Sequence, residues 1–305
     1  MKSTENILEK LPESLTEEKL LLDIEPASGA KLGYIELYTT NLATRGLFYQ
    51  EGFRIFIRSA NTDEVKHWAS IDFDDPLSVE DALNYILTKC CEIKLSEKTF
   101  GSFKDVCLED RLQIILSIRD LTYSQDGNKL IVSTPCPSGD DKCEDVKIPL
   151  NSRTIKINEV DQTLMSRYDL EKRAFVLKTK TLGEFILKSP TVEASMVSTK
   201  ILKDYRIKNK KLDKSFLSIL PYIVSKNPTD RQIEILQLES MRWTPEKWSF
   251  YINSIEKMRF VTVENRTILV TGKCEKCGSE VTAPMTFPDG LKSILIISNF
   301  DQELL

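Results

Sequence analysis

The sequence predicts an α+β fold: a β-rich N-terminal region with two helices, a helical middle segment, and two cysteine-bearing β-hairpin knuckles at 130–150 and 267–297. Three observations carry that prediction. Apolar residues alternate through Phe53, Ile55 and Ile57 and again through the two hairpin stretches, the period of a half-buried strand. They recur at helical spacing in Leu83, Ile86, Leu87, Cys90 and in Trp248, Tyr251, Ile252, Ile255, Met258. Both late β stretches hold a cysteine pair, Cys136/Cys143 in the first and Cys274/Cys277 in the second.

In chain order, residues 1–30 are charged and irregular, with a short helical pattern around Leu8 to Leu22, and are expected to form a flexible arm. Phe53–Arg58 is a strand. Ser78 with Asp81 resembles a capping box and is expected to open the helix that carries Leu83, Ile86, Leu87 and Cys90. A second helix runs over Leu108–Ile118 with Leu108, Leu112, Ile115 and Leu116 inward. Leu130-Ile131-Val132 and Val146-Lys147-Ile148 flank the Cys136–Cys143 loop as a hairpin, and a further hairpin over Ala174–Lys188 turns near Gly183. Residues 191–260 read as helical, with Thr244 as N-cap and Pro245 at the first helical position before the Trp248 stripe. The stretch from Thr267 to Ile297 is β again. The expected organisation is an arm (1–30), an α+β domain with the first cysteine hairpin (31–160), a hairpin plus helical segment (161–262) and a C-terminal β knuckle (263–305).

Composition narrows the function classes. The chain has 305 residues, 41% of them hydrophobic and 29% charged, as in ordinary globular proteins. Its net charge of −4 argues against a general nucleic-acid binder. No apolar run approaches a membrane span, and Met1–Asn6 lacks the basic-then-apolar pattern of a signal peptide. Neither G-x-x-x-x-G-K-[ST] nor G-x-G-x-x-G occurs, so no phosphate-cradling loop is expected. Seven cysteines with no export signal point to a reducing compartment, where paired cysteines more often hold metal than form disulfides.

Cys274-Glu275-Lys276-Cys277-Gly278 is the sharpest chemical motif. Thiolates two residues apart on a tight turn can share one Zn²⁺, and Gly278 allows the bend after the second ligand. With a single histidine in the chain, a tetrahedral site would be mostly thiolate. The plainer reading is a pair of reduced cysteines in a hairpin. A thioredoxin-like redox role fits poorly, because Ser279-Glu280-Val281-Thr282 reads as a returning strand rather than a helix. Cys136 and Cys143 enclose six residues, more than the usual two to four. They either complete a structural Cys₄ zinc site with Cys274 and Cys277 or are turn residues, and Asp140 and Asp141 between them could add oxygen. The two knuckles lie about 130 residues apart; should they meet, the segment between them is an insertion in one zinc-ribbon-like unit. Cys90, Cys91 and Cys107 read as buried fillers. Asp72, Asp74 and Asp75 suit helix entry better than Mg²⁺ binding or acid catalysis, and His67-Trp68 has no nucleophile motif beside it. The basic run Lys200, Lys203, Arg206, Lys208, Lys210, Lys211, Lys214 reads as a solvated face, with only Tyr205 interleaved for stacking. No catalytic residue is expected.

Three stretches together resemble a family of tailed-phage proteins related to the baseplate hub assembly protein (gene 26 product) of T-even phages. The first is Thr44-Arg45-Gly46-Leu47-Phe48-Tyr49 with Glu51-Gly52, Glu64–Trp68, Asp74-Asp75-Pro76-Leu77 and Leu83–Leu87. The second is Leu108–Leu112 to Ile118–Tyr123 with the Cys136 loop. The third is Cys274–Cys277, Glu280-Val281, Pro284, Phe287 and Gly290-Leu291-Lys292-Ser293. The resemblance covers roughly 43–150 and 265–305, and the Cys136–Cys143 loop departs from the C-x-x-C spacing expected there. It implies a non-enzymatic virion or assembly protein of a contractile-tail baseplate, in the particle or in the host cytoplasm during assembly. Its implied partners are other baseplate or tail proteins, with self-association allowed, no membrane, and nucleic acid disfavoured. A zinc-ribbon nucleic-acid-binding phage accessory protein is the alternative.

Overall fold

The N-terminal layer is an antiparallel sheet of β1 (Ile35–Leu37), β2 (Arg54–Ile57), β3 (Cys91–Ser96) and β4 (Thr99–Phe100), in that order. The computed structural model describes residues 33–72, 75–123, 130–138, 143–179, 183–210, 212–224, 228–265, 267–287 and 290–295. The arm expected over 1–30, together with Asp74, Asp140 and Asp141, lies outside them. Register places Leu37 opposite Ile55 and Ile55 opposite Ile93, so one apolar row crosses three strands. Ile55 and Ile57 face this core and Phe53 packs at its edge, as the alternation predicts. Phe56 points the other way yet is fully buried, because Arg54 and Lys94 lie over its ring at 5.0 and 5.1 Å.

Helices α1 (Thr62–Ala69), α2 (Pro76–Cys90) and α3 (Arg111–Thr122) share that core. Asn61 and Glu64 form a capping box at the start of α1. The His67 and Tyr85 rings lie 3.9 Å apart between centroids, tilted by 37°, and the buried Trp68 donates from Nε1 to the Lys292 carbonyl at 3.2 Å. Helix α2 starts earlier than the sequence reading placed it. The Asp75 carboxylate accepts from both the Ser78 N–H and the Ser78 hydroxyl, so Asp75 is the cap and Pro76 takes the first turn. Leu83, Ile86, Leu87 and Cys90 are buried as expected. Helix α3 begins at Arg111, after a 3₁₀ turn over Leu108–Asp110. It faces two ways: Ile114, Ile115 and Ile118 enter the N-terminal core, while Leu116 enters the core of the cysteine hairpins.

Those hairpins are β5 (Ile131–Thr134) with β6 (Val146–Pro149), and a C-terminal sheet joining β11 (Thr267–Lys273) to β12 (Glu280–Pro284). Strand β10 (Val263–Glu264) pairs on the outer edge of β11. Val146, Ile148, Val270, Val281, Ala283 and Met285 form one apolar cluster between them, which also takes in Cys274. The first cysteine hairpin therefore shares its core with residues from 263 onward. Ile155 bridges Val270, and Thr271 donates to the Thr154 carbonyl at 2.7 Å, closing the unit from the side.

The segment between the knuckles makes its own layer. Strands β7 (Tyr168–Asp169), β8 (Ala174–Thr179) and β9 (Gly183–Leu187) pack with α4 (Gln162–Met165), α5 (Val192–Ile207), α6 (Lys214–Ile223), α7 (Asp230–Met241) and α8 (Pro245–Met258). Thr244 caps α8 and Pro245 takes its first turn, with Tyr251, Ile255 and Met258 buried. One element departs from the expected β tail. Beyond Pro284 the chain leaves the sheet, forms a 3₁₀ turn over Gly290–Ile294 and sends Ile294 and Leu295 into the N-terminal core. Gly290 has φ +63°, a left-handed value that a strand does not use, and Leu291 and Ile294 are spaced by the 3₁₀ turn that follows rather than by a strand. Residues 296–297 of that expectation lie outside the described range.

Candidate metal centre

Each knuckle presents its cysteines from a hairpin end. After β11, the Gly278 N–H donates to the Cys274 carbonyl at 2.8 Å and the Cys274 N–H to the Ser279 carbonyl at 2.9 Å. That double closure needs Gly278 at φ +72°, which glycine adopts freely and residues with a Cβ do not. On the other side, β5 ends at Thr134 and β6 starts at Val146, leaving Cys136 and Cys143 on the connecting loop. Packing of β5–β6 on β11–β12 then brings both ends together.

Cys136, Cys143, Cys274 and Cys277 meet there, with their sulfurs all within 4.8 Å of one another and Cys136 Sγ 3.4 Å from Cys277 Sγ. In a tetrahedral site with metal–sulfur bonds of about 2.3 Å, the sulfurs stand about 3.8 Å apart. The donor set fits that geometry, and the four residues could hold a metal ion. Cys274 is buried against the hairpin core and Cys277 is exposed, with Cys136 and Cys143 between these extremes. The long Cys136–Cys143 loop does not keep its cysteines from the cluster, because Ser138 Oγ sits 3.2 Å from Cys136 Sγ and 3.5 Å from Cys143 Sγ and spans them.

The crowded thiols do not ionise alike. The hydroxyl and backbone N–H of Ser279, then the Cys136 thiol, hold Cys277 down at about 6. The Ser138 hydroxyl favours ionisation of Cys143, but burial and the thiols of Cys277, Cys274 and Cys136 push it up to about 11. The neighbouring thiols thus favour the thiolate at Cys277 and oppose it at Cys143, and a central positive charge is what would favour the thiolate at all four. Lys276 Nζ reaches Glu144 Oε1 at 2.8 Å and ties one knuckle to the other outside the sulfurs.

Sequence reasoning missed the sulfur-bound hydroxyls, although the repeated Cys-x-Ser of Cys136–Ser138 and Cys277–Ser279 was there to be seen. The remaining cysteines lie elsewhere. Cys90 and Cys107 are buried as expected, whereas Cys91 is half-buried; burial pushes the Cys90 thiol up to about 12 and raises those of Cys91 and Cys107. Of the aspartates weighed as a metal site, Asp75 is engaged as a helix cap. Two cations of the basic run are paired: Lys208 with Asp230 at 2.6 Å and Lys210 with Glu234 at 2.9 Å. No helix among the described residues is long and apolar enough to cross a membrane. Comparison with protein-family models, with curated proteins and with solved structures returns no match to this chain.

Proposed function

We propose that the protein is a non-enzymatic structural or assembly component of a contractile phage tail baseplate, in its hub region, built around a structural zinc clip. The observation that carries the clip is the convergence of four cysteines from hairpins about 130 residues apart. An all-sulfur tetrahedral set suits Zn²⁺, and four protein ligands leave no open position for a water or substrate. Such a site stabilises rather than reacts. The baseplate setting rests on the resemblance of residues 43–150 and 265–305, whose family implies a virion or assembly role. An assembly protein gains from a clip of this kind, since it fixes two distant chain segments into one rigid surface without a large core.

The test is co-expression with the genes that flank this one, followed by affinity capture and cross-linking. Recovery of tail-hub, wedge or tube proteins on its surface supports the reading. Nucleic acid bound with an affinity that falls steeply as salt rises would replace it with the zinc-ribbon nucleic-acid-binding alternative. The pairing of Lys208 and Lys210 with carboxylates counts against that alternative.

A further inference from the structure

The sheet of the middle layer ends in an open edge. Strand β9 pairs with β8, and among the described residues no other strand runs beside it. In an antiparallel ladder the N–H and C=O of one residue point to the same side, and those of the next residue to the other. The Val176 N–H donates to the Arg167 carbonyl at 2.9 Å, on the β7 side. Phe175 and Leu177 therefore turn toward β9, where they meet Leu187 and Phe185. That leaves Glu184 and Ile186, with Lys188 just after the strand, aiming their backbone donors and acceptors outward. No backbone hydrogen bond takes these groups up among the described residues.

Natural sheet edges carry devices against strand addition, such as a proline or a bulge. Strand β9 has neither. Its solvent face shows Ile186, 53% exposed, between the exposed Glu184 and Lys188. Glu184 meets Lys172 and Lys178 at 3.5 and 3.2 Å, exposed pairs that hold it weakly. On the opposite face Phe185 meets Trp243 at 6.3 Å and Phe250 at 5.9 Å between centroids, and all three rings are half-buried. Aromatic side chains placed in this way tend to dominate the energy of association.

We propose that β9 pairs antiparallel with β9 of a second copy of this chain, about a two-fold axis through Ile186. A two-fold contact needs a surface complementary to itself, and this register supplies one. Ile186 lies opposite Ile186, Glu184 opposite Lys188 in both halves, and Phe185 opposite Leu187 on the other face. The neighbouring registers that also bond the outward groups fail on their side chains. Centring on Glu184 or Lys188 sets a charge against itself, and centring on Phe185 or Leu187 sets Ile186 against a charge. Two three-stranded sheets then form one sheet of six strands. This inference depends on neither the metal centre nor the baseplate reading.

The experiment is sedimentation equilibrium of the full chain over a rising concentration series. The wild type is expected to pass from monomer to dimer. Ile186→Pro removes an N–H that faces outward, so the β8–β9 ladder keeps its bonds while the dimer is expected to be lost. Glu184→Lys and Lys188→Glu each set like charges opposite one another twice, and each is expected to weaken dimerisation roughly ten-fold or more. An equal mixture of those two variants is expected to restore it, because opposite charges then meet at both places. A wild type still monomeric at about 0.5 mM, a dimer that survives in Ile186→Pro, or a mixture that pairs no better than its components would each overturn the proposal. The concentration series and the mixture decide the matter even where Ile186→Pro fails to fold.

Discussion

Asp110 is fully buried, and three donors meet its carboxylate. The Thr44 N–H donates to one oxygen at 2.8 Å, and the Thr44 and Tyr49 hydroxyls donate to the other at 2.6 and 2.7 Å. Tyr49 in turn accepts from the Cys107 N–H at 3.1 Å, so one carboxylate fixes the Thr44–Tyr49 loop to the turn before α3. Asp110→Ala strands those donors, and a loss of about 3 kcal/mol or more is expected in urea unfolding. The same group sets a pH dependence. Burial raises its pKa from 3.8 to about 6, so the native state holds the proton more tightly than the unfolded chain. Its contribution to stability is then complete below about pH 4 and is lost as pH rises through 6. Asp110→Asn removes the titration, so the wild type should gain stability relative to this variant as pH falls from 7 to 4.5. A difference that stays flat over that range would refute the assignment. None of this was legible in the sequence, because Asp110 reads as one more acidic residue at a helix start. Its partners lie 61 and 66 residues away, a separation no local pattern reports.

At the scale of elements, periodicity carried most of the fold and caps marked where it failed. The strand at Phe53–Arg58, the buried α2 stripe, the hairpins and the Thr244–Pro245 start of α8 all follow from residues adjacent in sequence. The α2 start was misplaced because Asp75 and Ser78 are both good caps; which one acts depends on Pro76 preferring the first helical position. The tail after Pro284 was misread as β because its apolar spacing matches a strand, while Gly290 at φ +63° opens a 3₁₀ turn there instead. Two glycines in the C-terminal hairpin give a paired prediction. A Cβ on Gly272 would stand 2.9 Å from Cγ1 of the fully buried Ile148, the point where β11 lies against β6. Gly272→Ala should cost roughly 1–3 kcal/mol, and Ile148→Ala in the same chain should recover part of it. Gly278 has open space around its Cβ position but φ +72°, so Gly278→Ala should cost about 1 kcal/mol, with no recovery from Ile148→Ala. Identical behaviour of the two glycines in that cycle would contradict their separate roles.

Across the whole molecule, the cysteines are what the sequence came nearest to resolving. The C-x-x-C-G turn announces one half of the site, but only tertiary packing shows that Cys136 and Cys143 reach it. Spacing rules describe short turns, and here Ser138 and the β5–β6 packing do what a short turn would otherwise do. The unit they close also rests on Leu116 of α3 and on Ile155, so the clip shares its load with an apolar core. Stripping metal with a strong chelator should therefore speed hydrogen exchange first in 131–149 and 267–284. The Ile55 and Phe175 cores should keep their protection. Uniform loosening of the whole chain would place the metal's contribution elsewhere.

The central claim is that one zinc joins the two distant hairpins, and the most direct measurement is elemental analysis of the purified chain beside Cys136→Ser and Cys274→Ser. The account predicts one zinc per chain in the wild type and its loss in both variants. Zinc retained after Cys136→Ser, or no stoichiometric metal in the wild type, would contradict it.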